Sequence, residues 1–89
     1  MPSGMRNPGF LSMEIAGILR AELARRQGHQ AEVAAATGIS AGQLSKMFAG
    51  KKSFDLEDLD AVATAMGLDL TRDLVDPARA ARLQTRPID

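Results

Sequence analysis

The apolar residues of this chain recur every three or four positions through most of its length, which is the period of an α-helix. The first such stripe begins after Ser12. It comprises Ile15, Ile18, Leu19 and Leu23. Two arginines follow in the last turn, where positive charge opposes the helix dipole, and Gly28 is the expected end of this helix. No stretch alternates between apolar and polar residues, so the pattern predicts no β-strand.

A second and a third helix follow, and only a very short break separates them. The second helix, predicted over residues 30–37, presents Val33, Ala34 and Thr37 on one face. Gly38 comes next, at a position where glycine ends a helix in the left-handed conformation without a Cβ penalty. The break is therefore predicted to be a tight turn between two helices.

The third helix has two start signals. Ser40 and Gln43 form an S-x-x-Q capping box, and Ile39 and Leu44 occupy the positions of a hydrophobic staple. The helix is therefore predicted to begin at Ala41. Its inward face consists of Leu44, Met47 and Phe48.

Aspartates signal three later helix starts. Asp55 caps a fourth helix that runs to about residue 66, and Asp69 caps a fifth that runs through residue 74. The pair Asp76-Pro77 can cap and open a short sixth, since proline favours the first helical position. These elements predict an all-α fold of five or six short helices.

The helical pattern also divides the chain into three parts. These are a disordered arm over residues 1–11, a helical domain over residues 12–75, and a short helix or tail over residues 76–89 that is a candidate dimerisation element. At 89 residues the whole is one domain with a core that is only just sufficient. There is no cysteine and only one histidine, which argues against a metal centre, and no apolar run is long enough for a signal peptide or a membrane span. We expect a soluble, cytoplasmic protein.

The formal net charge is zero, but the charges are unevenly distributed. Residues 1–52 hold seven Lys/Arg against three Asp/Glu, which gives +4, and residues 53–89 hold four against eight, which gives −4. The acids near residue 55 sit at a predicted helix start, where they favour the positive end of the dipole. No nucleophile or second ligand set accompanies them, so we expect neither an enzyme nor a cofactor.

The stretch QAEVAAATGISAGQLSKMFAG, residues 30–50, resembles the Cro/C1-type (XRE-like) helix-turn-helix DNA-binding domains of phage repressors and bacterial regulators. The resemblance rests on the residues that open, cross, turn and close the two helices, namely Gln30, Ala34, Gly38, Ile39, Leu44 and Gly50. The segment LEDLDAVATAMGLDL is similar to the fourth helix of that family and its exit. The similarity extends over residues 15–74 and implies a lambda-repressor-like, all-α fold of five to six helices.

The resemblance also implies a nucleic-acid site. The base-reading positions of the third helix are Ser40, Ala41, Gly42, Gln43 and Lys46. The phosphate-contacting positions are Gln30, Lys51, Lys52, Arg26 and Arg25. Other roles are open for several of them: Gln43 as the capping partner of Ser40, and the lysines as solvated charges. Ala41 and Gly42 cannot form side-chain hydrogen bonds, so direct readout is expected to be thin.

The implied partner is double-stranded DNA, bound by a homodimer that acts as a transcriptional repressor. We place the dimer surface after Leu68, in four apolar residues that exceed the needs of one core: Leu70, Leu74, Val75 and Leu83. The alternative is a module that keeps the helix-turn-helix fold but binds another protein, as an antirepressor or antitoxin does. Ala41, Gly42 and the neutral net charge favour that alternative. No small-molecule ligand and no membrane partner is inferred.

Overall fold

The computed structural model describes residues 8–85, with side chains as far as Ala81. The helices are α1 (Phe10–Arg25), α2 (Gln30–Thr37), α3 (Ala41–Phe48), α4 (Leu56–Ala65) and α5 (Asp76–Thr85), with a π-helical segment, Leu70–Val75, directly before α5. Residues 8–85 contain no β-strand. The prediction of an all-α, helix-turn-helix fold is confirmed.

The core lies between α1 and the elements packed around it. α1 packs against α3, the π-helical segment and α5, while α2 packs against α3 and α4. Phe48 of α3 is the largest fully buried side chain and lies in one cluster with Leu19 of α1 and Val62 of α4. The predicted stripe of α1 faces this cluster, as do the three predicted inward residues of α3. Since burying one such side chain contributes about 1.5–3 kcal/mol, the cluster is the main source of stability.

Three of the predicted N-caps are formed. Ser40 Oγ accepts from the N–H of Gln43 at 3.2 Å, Asp55 Oδ1 accepts from Asp58 at 2.8 Å, and Asp69 Oδ2 accepts from Arg72 at 2.7 Å. Each bond satisfies an N–H that the helix itself cannot, and is worth about 1 kcal/mol. α3 and α4 begin at the predicted residues because these local signals agree with the burial pattern, and α2 also begins at the predicted Gln30.

The end of α1 differs from the prediction. The left-handed residue is Gln27, with φ 55°, whereas Gly28 has no positive φ. Gly28 donates its N–H to Leu23 O at 2.9 Å, and a Cβ on Gly28 would lie 2.9 Å from a methyl carbon of Leu23. Gly28 thus packs closely against the end of the Leu23 side chain, while the neighbouring glutamine adopts the conformation that glycine was expected to supply.

The segment after α4 also differs. Asp76 has helical dihedral angles, φ −63° and ψ −46°, so it does not cap a separate sixth helix. The π-helical segment continues into α5 without a break. At the other end of the chain α1 begins at Phe10, two residues before Ser12. Of the arm predicted over residues 1–11, residues 10 and 11 belong to α1, and residues 1–7 lie outside the described residues.

Of the four residues expected to form a dimer surface after Leu68, Leu74 is unavailable because it is fully buried, while Leu70 and Val75 keep part of their surface exposed. Leu74 has 0% of its surface exposed, and Leu70 and Val75 are partly buried against the same core. The π-helical segment turns them inward onto α1 and α4, so they complete the core of one chain. The side chain of Leu83 lies outside the described part.

Candidate nucleic-acid interface

α3 has one fully buried face and one fully exposed face. Leu44, Met47 and Phe48 hold the helix to the core, each no more than 1% exposed. The remaining residues of the helix are all exposed, namely Ala41, Gly42, Gln43, Ser45 and Lys46. At eight residues the helix is about 12 Å long, too short to be stable alone, so the core determines its orientation.

The predicted base-reading residues all lie on the exposed side. Among the described residues Gln43 uses only its backbone N–H in the cap, so its side-chain amide makes no hydrogen bond and the capping box is half formed. A Cβ on Gly42 would meet nothing within 4 Å, which leaves the surface open at that point. Ser45 is also exposed, although the resemblance did not single it out.

The turn between α2 and α3 is held by local hydrogen bonds. Gly38, with φ 79°, donates its N–H to Ala34 O at 2.9 Å. Thr37 Oγ1 donates to Val33 O at 2.8 Å and accepts from the N–H of Ile39 at 3.2 Å. These bonds fix the angle at which α3 leaves α2, as a helix-turn-helix requires.

A family model described as helix-turn-helix matches residues 17–72, which include this turn and both of its helices. The chain belongs to the Cro/C1-type helix-turn-helix family. This is a family of DNA-binding regulatory domains, not of enzymes. No curated protein and no solved structure gives a significant match.

The first turn of α2 contains an acidic residue, Glu32. His29 is the N-cap in an extended conformation and makes no side-chain cap bond, while Glu32 Oε1 accepts the N–H of His29 at 3.1 Å. Because that negative charge occupies the helix start, a phosphate there would meet repulsion. The half-buried Gln30 therefore offers its side-chain amide more readily than the helix end.

The two lysines after α3 are exposed. Gly50, with φ 77°, turns the chain, and the N–H of Lys51 donates to Lys46 O at 2.9 Å. This bond keeps the backbone of Lys51 against the last turn of α3. The position of Lys51 and Lys52 fits phosphate contact, which stays a prediction.

Arg25 and Arg26 have partners within the domain. Both guanidinium groups contact the carboxylate of Glu22, and Arg26 Nη1 also donates to Met66 O at 2.5 Å. The pKa of Glu22 is lowered, chiefly because Arg25 donates a hydrogen bond to it. Arg26 thus joins the end of α1 to the end of α4, a use that competes with the expected phosphate contact.

A further contact, at the C-terminal end of α3, could not be predicted from the sequence. Arg20 Nη1 of α1 donates to Phe48 O at 2.6 Å, across 28 residues of sequence. The acceptor is a backbone carbonyl, which has no residue type that a sequence pattern could reveal. The sequence shows only that an arginine, Arg20, lies on a helix with one apolar face.

The described residues offer little for other ligands. A cavity of about 190 Å³ lies between α1, α2 and α4, with Arg26 and Glu32 at its rim. It is smaller than the roughly 300–1,000 Å³ of typical ligand pockets. Within residues 8–85 no group of acids and histidines is placed to hold a metal, and no helix is long and apolar enough to cross a membrane.

Proposed function

We propose that the protein is a sequence-specific regulator of transcription, a repressor, that places α3 in the major groove of duplex DNA. The observation that carries this proposal is the exposed face of α3, which is polar or small throughout. Among the residues whose side chains are described, the exposed large apolar ones lie elsewhere, at the starts of α1 and α4. They are Phe10, Leu11, Met13 and Leu56.

The exposed face offers a small number of base contacts. The free amide of Gln43 suits the N6/N7 edge of adenine, and Lys46 suits guanine O6 and N7. Ala41 offers a methyl group to thymine, and the open surface at Gly42 permits close approach of the duplex. Gln30, Lys51 and Lys52 would supply phosphate contacts that orient the helix.

So few base contacts in one domain discriminate poorly. We therefore propose a homodimer that spans two half-sites about one helical turn apart, since doubling the contacts multiplies the specificity. Leu74 cannot contribute to the surface of this dimer because it is fully buried in the monomer core, whereas Leu70 and Val75 stay partly exposed.

The alternative, a helix-turn-helix that binds another protein, has one observation in its favour. Phe10, Leu11 and Met13 expose 39%, 36% and 54% of their surface within one turn of α1. An exposed apolar patch is a feature of protein contacts. It lies outside α2 and α3, so it leaves the DNA proposal intact.

The test is binding to random-sequence duplex DNA across a salt series, followed by selection of preferred duplexes. The unmodified protein, called the parent below, is compared with a Lys46→Ala/Lys51→Ala/Lys52→Ala variant. Each phosphate contact that is lost should flatten the log-log salt slope by about 0.9. An Arg72→Ala/Arg79→Ala variant removes charge from the opposite half of the chain and should keep the parental slope. If the parent does not bind at low salt, the protein-binding alternative replaces the proposal.

A further inference from the structure

The last turn of α3 needs four donors for its backbone carbonyls. Three of these donors are backbone N–H groups of the residues that follow the helix. They are Ala49 N–H to Ser45 O at 3.0 Å, Lys51 N–H to Lys46 O at 2.9 Å, and Gly50 N–H to Met47 O at 3.1 Å. Within residues 8–85 no backbone N–H reaches Phe48 O. Its donor is Arg20 Nη1, at 2.6 Å.

We propose that Arg20 is a positioning residue for α3, which sets the angle at which the recognition helix meets DNA. This inference rests on the proposed function. Arg20 belongs to α1, so its bond joins the C-terminus of the recognition helix to the helix at the centre of the fold. Its positive charge also lies at the negative end of the α3 dipole, which strengthens the contact.

The contacts at Phe48, at the C-terminal end of α3, determine where the residues at its N-terminal end lie. The side chain of Phe48 is fully buried and its carbonyl accepts a hydrogen bond from Arg20, so both its side chain and its backbone are fixed. Gln43 lies about 7.5 Å from Phe48 along the helix, and a tilt of about 10° about Phe48 would move it by about 1.3 Å. Productive contacts tolerate about 0.5 Å. A small loss of constraint at Phe48 therefore becomes a large error at Gln43.

The proposal predicts a loss of discrimination between sequences with nonspecific binding unchanged. Arg20→Met keeps an apolar stem and removes the donor. It should lower the preference for a selected duplex over a scrambled one by about ten-fold, the size of one lost base contact, while the salt slope stays parental. Arg20→Lys keeps a charge and a donor and should restore part of the preference. Arg79→Met removes an exposed arginine from α5 and should change nothing.

Affinities are measured at a temperature where circular dichroism shows every variant folded. If folded Arg20→Met keeps the parental preference, Arg20 only stabilises the domain and the proposal is overturned. A fall of both affinities together with a flatter salt slope also overturns it, because Arg20 would then itself contact phosphate. Amide exchange of α3, relative to α4, gives a readout without DNA and should be faster in Arg20→Met. If the parent binds no duplex, the proposed function fails, and unchanged exchange overturns the positioning role separately.

Discussion

The two faces of α3 differ in how strictly the fold specifies them. On the buried face Leu44, Met47 and Phe48 are in contact with the core on all sides, and even the last carbonyl has a donor from another helix. On the solvent face the side chains of Gln43 and Lys46 have no partner among the described residues. The buried face thus fixes where the helix lies, and the exposed face is free to be matched to a partner.

The comparison predicts its largest effect at the centre of the buried face. Phe48→Ala removes the largest fully buried side chain and should lower the free energy of unfolding by about 3–5 kcal/mol. In a small domain that is a large part of the total stability. Urea denaturation followed by circular dichroism measures the loss. A change below about 1 kcal/mol would show that the site relaxes and that the core does not fix α3.

Two glycines of this region sharpen the comparison because the same substitution should have opposite effects on them. Gly50→Ala places a Cβ on a residue with φ 77° and should cost about 1–2 kcal/mol, since left-handed conformations are unfavourable for alanine. Gly42→Ala lies on the exposed face of the helix with nothing within 4 Å of the new Cβ. It should stabilise by up to about 1 kcal/mol, because alanine is the better helix former. Equal effects in thermal melts would contradict the assignment of Gly50 as the left-handed end.

The fold was predictable from sequence to the extent that its signals are local. Ser40, Asp55 and Gly38 carry their roles in their own chemistry and spacing, so the predicted starts of α3 and α4 and the turn between α2 and α3 were correct. Gln27 was missed because nothing in a glutamine beside a glycine indicates which of the two turns left-handed. With Gln27 in this conformation, its N–H donates to Ala24 O and that of Gly28 donates to Leu23 O, so both bonds close the last turn of α1.

The rest of the site was less predictable because it depends on contacts between distant segments. The exposure of Gln43 and Lys46 followed from the helical period, but the partners of Arg20 and Arg26 are backbone carbonyls 28 and 40 residues away. The π-helical segment is a further case. From the sequence, Leu70 and Leu74 exceeded the apolar residues that one core needs. In the structure this segment is a π-helix, which is wound more widely than an α-helix, and Leu74 is fully buried.

The smallest effect on stability is expected on the exposed face. Lys46→Ala should change the free energy of unfolding by less than about 0.5 kcal/mol, since the side chain is exposed and bonded to nothing in the described part. Its effect on binding should be larger and of a distinct kind. If Lys46 meets a guanine, the variant loses preference at one base position by about 1–3 kcal/mol, whereas a phosphate contact would weaken all duplexes alike. Affinities for single-base substitutions of a selected duplex separate these cases. A variant that unfolds more easily but binds normally would reverse the contrast between the two faces, because the lysine would then belong to the part of α3 that holds the fold together.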